Sequence, residues 1–386
     1  MRTRKLLAAG AAVVMGITMM SGCGGGGGRG GASTTAPATD TSTTATSSAT
    51  SSSSSSSAPT GGFAAGSTIG VSLPWLGTQN WAEANDMFAT QLTAAGFKPM
   101  VQQADNKVPT QQQQIEAMIQ AGAKVIVIGP VDGSQLGTVV EEAKNQGVYI
   151  IGYDRMIQNT QAVDAVVQFG SIETGKLQGQ ALLDGLKAWK GNGPYNIELF
   201  GGGPADPNAP NFFTGAMQVL QPKIDDGTLT IVSGQKDFAT VATPDWSNDK
   251  AQARMDTLLA TNYAGKTIDG VLAPNDGIAR AIITSCLNAG QKTPVTSGLD
   301  AEDETVSWVW QGKQWSTTYK PTDQLVAQTL TLIKALQAGT PLPAATEMDN
   351  NGTKDVAVYA LPPTTVTKDN EKQVFANDSH RLALLT

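Results

Sequence analysis

A single histidine, His380, and two cysteines, Cys23 and Cys286, occur in 386 residues. One histidine, near the C-terminus, leaves no room for a multi-histidine metal site and nearly excludes chemistry that needs a histidine base or a histidine-paired nucleophile. Basic residues are also short: 26 Lys and Arg face 33 Asp and Glu, for a net charge of −7. A chain built to hold a polyanion needs a basic footprint, and this one has none. Aromatic residues make up 6% of the chain, and beyond the first twenty residues no run approaches the ~18 apolar residues of a membrane span.

What is present begins with a leader. Arg2, Arg4 and Lys5 precede an uncharged apolar stretch over residues 6–20, shorter than the roughly 20 residues a spanning helix needs. Met20-Ser21-Gly22-Cys23 then resembles a bacterial lipobox, in which small residues precede a cysteine acylated after cleavage. The competing reading is an ordinary signal peptide with an incidental cysteine. Residues 1–22 are therefore expected to be a lipoprotein signal peptide, and 23–66 a lipidated Cys23 with a disordered tether. Between Gly24 and Gly62 only Arg29 and Asp40 are charged, and Gly, Ser, Thr, Ala and Pro dominate. Such a tract cannot offset its chain entropy by apolar burial. Without the three leader cations, 23 basic residues face the same 33 acids, a balance of −10.

From residue 68 the pattern alternates strand and helix. Apolar runs Ile69-Gly-Val-Ser-Leu73, Val125-Ile-Val-Ile128 and Tyr149-Ile-Ile-Gly-Tyr153, with residues 98–103, predict four strands. Between them lie amphipathic segments such as Ile115, Met118 and Ile119, spaced i, i+3, i+4. After residue 172 the alternation restarts: helices over 173–188, 210–221, 247–261 and 277–289, with strands at 195–200, 229–233, 270–273 and 295–299. A helix over 301–311, a strand over 316–320 and a helix over 322–338 complete the tail. Repeated βαβ units of this kind give parallel sheets with right-handed crossovers. The fold class is α/β, with two similar doubly wound parallel-sheet lobes. Cys286 falls in a helix as a small apolar side chain.

Ligands of open α/β sheets sit beyond the carboxyl ends of the strands. Those ends carry Asp154-Arg155, Gly201-Gly-Gly-Pro-Ala-Asp206-Pro-Asn208, Asn275-Asp276, Leu299-Asp300 and Tyr319-Lys320. Trp81 and Trp246 precede or open helices beside them. Carboxylates accept from hydroxyls, Lys and Arg donate, Asn does both, and indole faces cover C–H faces. The set suits a polyhydroxylated neutral ring. Each residue also has a plain structural alternative. Asp154 and Arg155 can be an ion pair at a strand end, Asp276 a helix cap, Asn208 a turn residue, and Trp81 and Trp246 core. Trp308, Trp310 and Trp315 read as packing or lobe-surface residues, Tyr153 as core, and Gln111–Gln114 as a short polar helix face. The Gly201–Gly203 run lacks the spacing of a phosphate loop.

At these residues the chain resembles the ribose-type periplasmic sugar-binding proteins of ABC importers, and among them the xylose-binding and multiple-monosaccharide-binding members. Gln112–Gly122, Gly152-Tyr-Asp-Arg155, Pro194–Gly201, Ala251–Leu259, Asn275-Asp276, Ser297–Ala301 and Tyr319-Lys320-Pro321 carry the likeness, in order from about residue 68 to 375. The resemblance implies a periplasmic binding protein-like (type I) fold whose lobes are joined by a three-strand hinge. It implies sugar-hydroxyl contacts from Asp154, Arg155, Asn208, Asn275, Asp276, Asp300 and Lys320, with Trp81 and Trp246 on opposite ring faces. Asn80 and Asp206 are second-choice contacts. Asn80 stands where the multiple-sugar members look to have Arg, and Leu299 where they look to have Gln. Crossings are expected near 170–172, 320–322 and 340–346, which gives lobes of 67–171 plus 322–342 and 172–321 plus 343–386.

The function implied is capture of an aldopentose or aldohexose by a lipid-anchored monomer that hands it to an ABC permease. Neither cofactor nor metal is implied. An enzyme using Asp154, Asp276 and Asp300 as acid and base is the competing class, and a nucleoside or signalling-sugar receptor the competing ligand. A sugar-responsive repressor would need an N-terminal helix-turn-helix where the leader and Ser-rich tract stand.

Overall fold

The structure, a computed structural model, describes residues 62–386. The expected leader, the lipidated Cys23 and all but the last few residues of the tether lie outside the described residues. In the first lobe β1 (Thr68–Leu73), α1 (Gln79–Ala94), β2 (Lys98–Gln103), α2 (Val108–Gln120), β3 (Val125–Ile128), α3 (Gly137–Asn145) and β4 (Tyr149–Tyr153) alternate. A fifth strand, β5 (Ala165–Phe169), follows β4 through an irregular loop with no helix between them. The sequence reading lacked this strand because it breaks the strand–helix alternation on which that reading rested.

Both faces of this sheet are dry, and the β-branched runs show why. Val125 and Val127 point into one core with Phe88, Leu92 and Ile333, while Ile126 and Ile128 point into the other with Ile115, Met118 and Val140. Alternate residues of a strand face opposite sides, so a continuous apolar run demands helices on both.

The chain leaves at Gly170 and builds the second lobe from α4 (Ser171–Lys190), β6 (Tyr195–Leu199), α5 (Asn208–Asp225), β7 (Leu229–Ile231), α6 (Phe238–Val241), α7 (Asn248–Asn262), β8 (Gly270–Leu272), α8 (Asp276–Asn288), β9 (Val295–Thr296), α9 (Asp303–Trp310) and β10 (Ser316–Tyr319). Its strands run in the order β7-β6-β8-β9, all parallel. Helices α4 and α5 cross at glycines. A Cβ on Gly175 would lie 1.9 Å from the Phe212 carbonyl oxygen, and one on Gly215 would lie 2.1 Å from that of Ile172. Only hydrogen fits there, and the close crossing fixes α5 and its Phe212.

At Lys320-Pro321 the chain returns to the first lobe as α10 (Thr322–Ala338). It stays there longer than expected. β11 (Glu347–Asn350) and β12 (Asp355–Leu361) form an antiparallel hairpin, and β12 runs parallel to β5 with Ala357 opposite Ala165. The first sheet thus has the order β11-β12-β5-β4-β3-β1-β2. The third crossing is therefore at Pro362-Pro363 and not near 340–346, and residues 343–361 belong to the first lobe. Burial of Val356 and Val358 holds the hairpin in place, and two prolines without N–H groups suit a segment that leaves the ladder. Beyond it β13 (Thr364–Thr367) pairs antiparallel with β10, and α11 (Glu371–Val374) and α12 (Ser379–Ala383) close the second lobe. Cys286 lies wholly buried in α8, where burial and Asp256 push its thiol up to about 12. Among the described residues no helix is long and apolar enough to cross a membrane.

Candidate functional site

Five strand ends from the two lobes converge on one pocket, the kind of interlobe cleft in which small-molecule sites form. The first lobe supplies Trp75, Thr78, Asn80 and Trp81 from the end of β1 and the start of α1, and Asp154 and Arg155 from the end of β4. The second supplies Asp206 and Phe212 after β6, Trp246 before α7, Asn275 after β8, and Leu299 and Asp300 after β9. Lys320 enters from the crossing itself. All of these lie where strand polarity in a parallel sheet puts ligands.

Charge is arranged as a closed circuit. Lys320 Nζ lies 3.4 Å from Asp154 Oδ1 and 3.2 Å from Asp300 Oδ1, so one ammonium joins carboxylates of different lobes. Arg155 Nε lies 2.8 Å from Asp206 Oδ2, while its Nη1 donates to the Pro130 carbonyl at 3.0 Å and its guanidinium sits 5.3 Å over the Trp81 ring. Burial disfavours the Lys320 charge, but Asp154 and Asp300 outweigh it and hold the ammonium above its ordinary range. Burial pushes Asp300 and Asp206 upward, opposed by Lys320 and Arg155 respectively. Buried ion pairs add little net stability, because desolvation consumes most of the attraction. Their effect here is to hold donors and acceptors in fixed directions. Asp154 (φ 62°) and Asp300 (φ 92°) are both left-handed, a backbone cost that surrounding contacts sustain at the site.

The two indoles have flat seats. Trp81 is buried, edge-on to Tyr153 at 5.9 Å, and a Cβ on Gly129 would meet it at 2.8 Å. Trp246 lies against Gly202 and Gly203, where added Cβ atoms would approach its ring to 2.2 and 2.8 Å. The glycine run therefore makes room for an indole. Trp246 Nε1 is buried without a hydrogen-bond partner among the described residues, and so is Asp300 Oδ1, whose contact with Lys320 lacks hydrogen-bond alignment.

Two expected contacts do not reach the pocket. Asn208 spends its carboxamide between the lobes: Nδ2 donates to the Asp154 carbonyl at 2.6 Å, and Oδ1 accepts from Ser171 Oγ at 2.9 Å. Its side chain walls a neighbouring chamber. Asp276 turns away from the cleft and accepts from Thr317 Oγ1 at 2.8 Å and the Glu302 N–H at 3.0 Å. Burial and the nearby Glu302 push this carboxyl well above the usual range. Nor is Asp276 the helix cap. Asn275 is, with Oδ1 accepting from the Ile278 N–H at 3.1 Å while it lines the pocket.

Sequence reasoning missed Trp75, Thr78 and Phe212, which sit in the pocket wall. It also grouped Gln111 with a short polar helix face. Gln111 is fully buried, donates to the Gly129 carbonyl at 2.9 Å and accepts from the Val131 N–H at 2.8 Å. It thereby braces the loop whose Pro130 carbonyl receives Arg155. Gln178 does the same in the other lobe, donating to the Pro274 and Gly298 carbonyls at 3.1 and 3.2 Å. A glutamine out of phase with its helix's polar stripe was the available signal. Among the described residues no group of three or more His, Cys, Asp or Glu is placed to hold a metal ion.

This geometry has relatives. The chain is 38% identical to the multiple sugar-binding periplasmic protein SbpA of Azospirillum brasilense over 81% of its length and 89% of that protein's. It is 34% identical to the D-xylose-binding periplasmic protein of Escherichia coli strain K12, over 80% of this chain and 89% of that one. Among solved structures, an ABC transporter solute-binding protein from Clostridium phytofermentans with bound β-D-glucose superposes with a TM-score of 0.78 at 34% identity, covering 83% of this chain and all of that one. Residues 69–341 match the family profile described as periplasmic binding protein domain. With that match and these relatives, the chain belongs to the periplasmic binding protein family.

Proposed function

We propose that this chain is an extracytoplasmic receptor that binds one monosaccharide, an aldopentose or aldohexose such as xylose, glucose or galactose, and delivers it to an ABC transporter permease. The observation that carries the reading is the pocket itself. Asp154, Arg155, Asn275, Asp300 and Lys320 surround a space flanked by Trp81 and Trp246 and walled by both lobes. Relatives named for multiple-sugar and xylose binding, and a neighbour holding glucose, support the ligand class. The lipobox-like Met20–Cys23 supports a lipid anchor at Cys23, with the folded part acting as a monomer outside the membrane.

A ligand touching both lobes binds their closed arrangement best, and so shifts the hinge equilibrium by its differential affinity. Leu299, apolar and buried in the wall, brings no side-chain hydrogen bond to the pocket. The receptor reading also displaces the enzyme. Of the three carboxylates offered as acid and base, Asp276 lies outside the pocket, while Asp154 and Asp300 share one ammonium. A nitrophenyl glycoside should therefore show no turnover.

Thermal unfolding against pentoses, hexoses and nucleosides tests the reading. A sugar at about a hundred times its dissociation constant should stabilise the fold by about 2.7 kcal/mol. Asp300→Asn should reduce that shift. A shift with nucleosides alone would keep the fold and overturn the ligand class.

A further inference from the structure

We infer that Arg381, in the last helix, is a positioning residue that ties lobe closure to the Asp300 corner of the pocket. Its side chain is 9% exposed and each part of the guanidinium has a different partner. Nε donates to the Ala301 carbonyl at 3.0 Å, Nη1 to Asp378 Oδ2 at 2.8 Å, and Nη2 to Glu83 Oε1 at 2.9 Å. Ala301 directly follows Asp300, and both hold left-handed backbone, φ 52° and 92°. A β-carbon disfavours that conformation, so an outside contact must hold it. Arg381 supplies one such contact from below the pocket.

Glu83 belongs to the other lobe. It stands on α1 two residues after Trp81, and its carboxylate also accepts from Gln79 Nε2 at 2.8 Å. Gln79 crosses the same seam: Nε2 donates to Asp303 Oδ1 at 2.6 Å, and Oε1 accepts from the Asp303 N–H at 2.8 Å. His380 Nε2 reaches Asp303 Oδ2 at 2.6 Å. The first helix and the last thus grip each other at the cleft mouth, and these contacts exist only while the lobes touch. The Arg381–Glu83 pair is mostly out of water, where charge-assisted hydrogen bonds are strongest. The lysine-like point charge would not replace it, because three partners need the planar fork. Arg381 touches no pocket atom and acts through the segment it holds.

The inference rests on the sugar-receptor reading for its second arm only. In the sugar-free chain, Arg381→Gln should speed hydrogen exchange of the Asp300–Glu302 amides, and Glu83→Ala should not. With D-glucose or D-xylose as probe, Glu83→Ala should raise the dissociation rate on the order of tenfold with association little changed. The affinity of Glu83→Ala should also depend less on salt than that of the wild type. Unaltered exchange in Arg381→Gln, or an unaltered dissociation rate in Glu83→Ala, would overturn it. If neither sugar binds the wild type, the ligand assignment fails and the exchange arm still decides the positioning role.

Discussion

Asn275 and Asp276 are neighbours in sequence with separate tasks. The cap geometry that aims Asn275 into the pocket sends the next side chain behind the sheet ends, to Thr317 and the Glu302 N–H. Asp276→Ala would leave those donors without an acceptor in a site closed to water. Its cost should be about 2–6 kcal/mol of stability, since each of the two orphaned buried donors costs ~1–3. Chemical denaturation should show this loss, while sugar affinity of the folded variant should change far less than in Asp300→Asn. The strand-end rule found the right loops from sequence alone, but it does not separate adjacent polar residues. Which one faces the cleft depends on a backbone turn that no local pattern displays. The same holds for Gln111, polar in composition yet buried as a brace.

Among elements, those announced by long periodic patterns were legible, and those made by tertiary pairing were not. Helix α10 and strands β1, β3 and β4 follow from their apolar spacing. β5 and β12 fall outside the strand–helix alternation: β5 follows β4 with no helix between, β12 closes an antiparallel hairpin, and the two pair with each other. The third crossing was misplaced for that reason. A pH effect belongs to this scale. Glu371 in α11 is fully buried, both carboxylate oxygens lack a hydrogen-bond partner among the described residues, and burial pushes its carboxyl up to about 8 despite Lys368. The folded state therefore holds this proton more tightly than the unfolded chain. Its stabilising contribution is complete below the ordinary carboxyl range and is lost as pH rises toward 8. Melting temperature should fall between pH 5 and 8 on this account. Glu371→Gln should flatten that slope and melt a few degrees higher at pH 8 (roughly 2–4 °C per kcal/mol for a large domain). An unchanged slope in the variant would mean that the carboxyl titrates normally.

At the scale of the whole molecule, two doubly wound lobes meet over one charged, indole-flanked pocket, and the contacts across it fall into two rings. The inner ring is Lys320 with Asp154 and Asp300, and Arg155 with Asp206. The outer ring is Gln79 with Asp303 and Glu83 with Arg381. Most inner-ring residues were legible in sequence because strand ends mark them. The outer ring was not, because it joins residues 224 and 298 positions apart that carry no motif. Calorimetric titration of D-xylose and D-glucose into the wild-type chain and Asp300→Ala tests the central claim most directly. The account predicts one saturable site per wild-type chain for at least one of these sugars, weakened at least about tenfold by Asp300→Ala, because a charge-assisted hydrogen bond to the ring is lost. No binding of either sugar by the folded wild type, or equal binding by the variant, would contradict it.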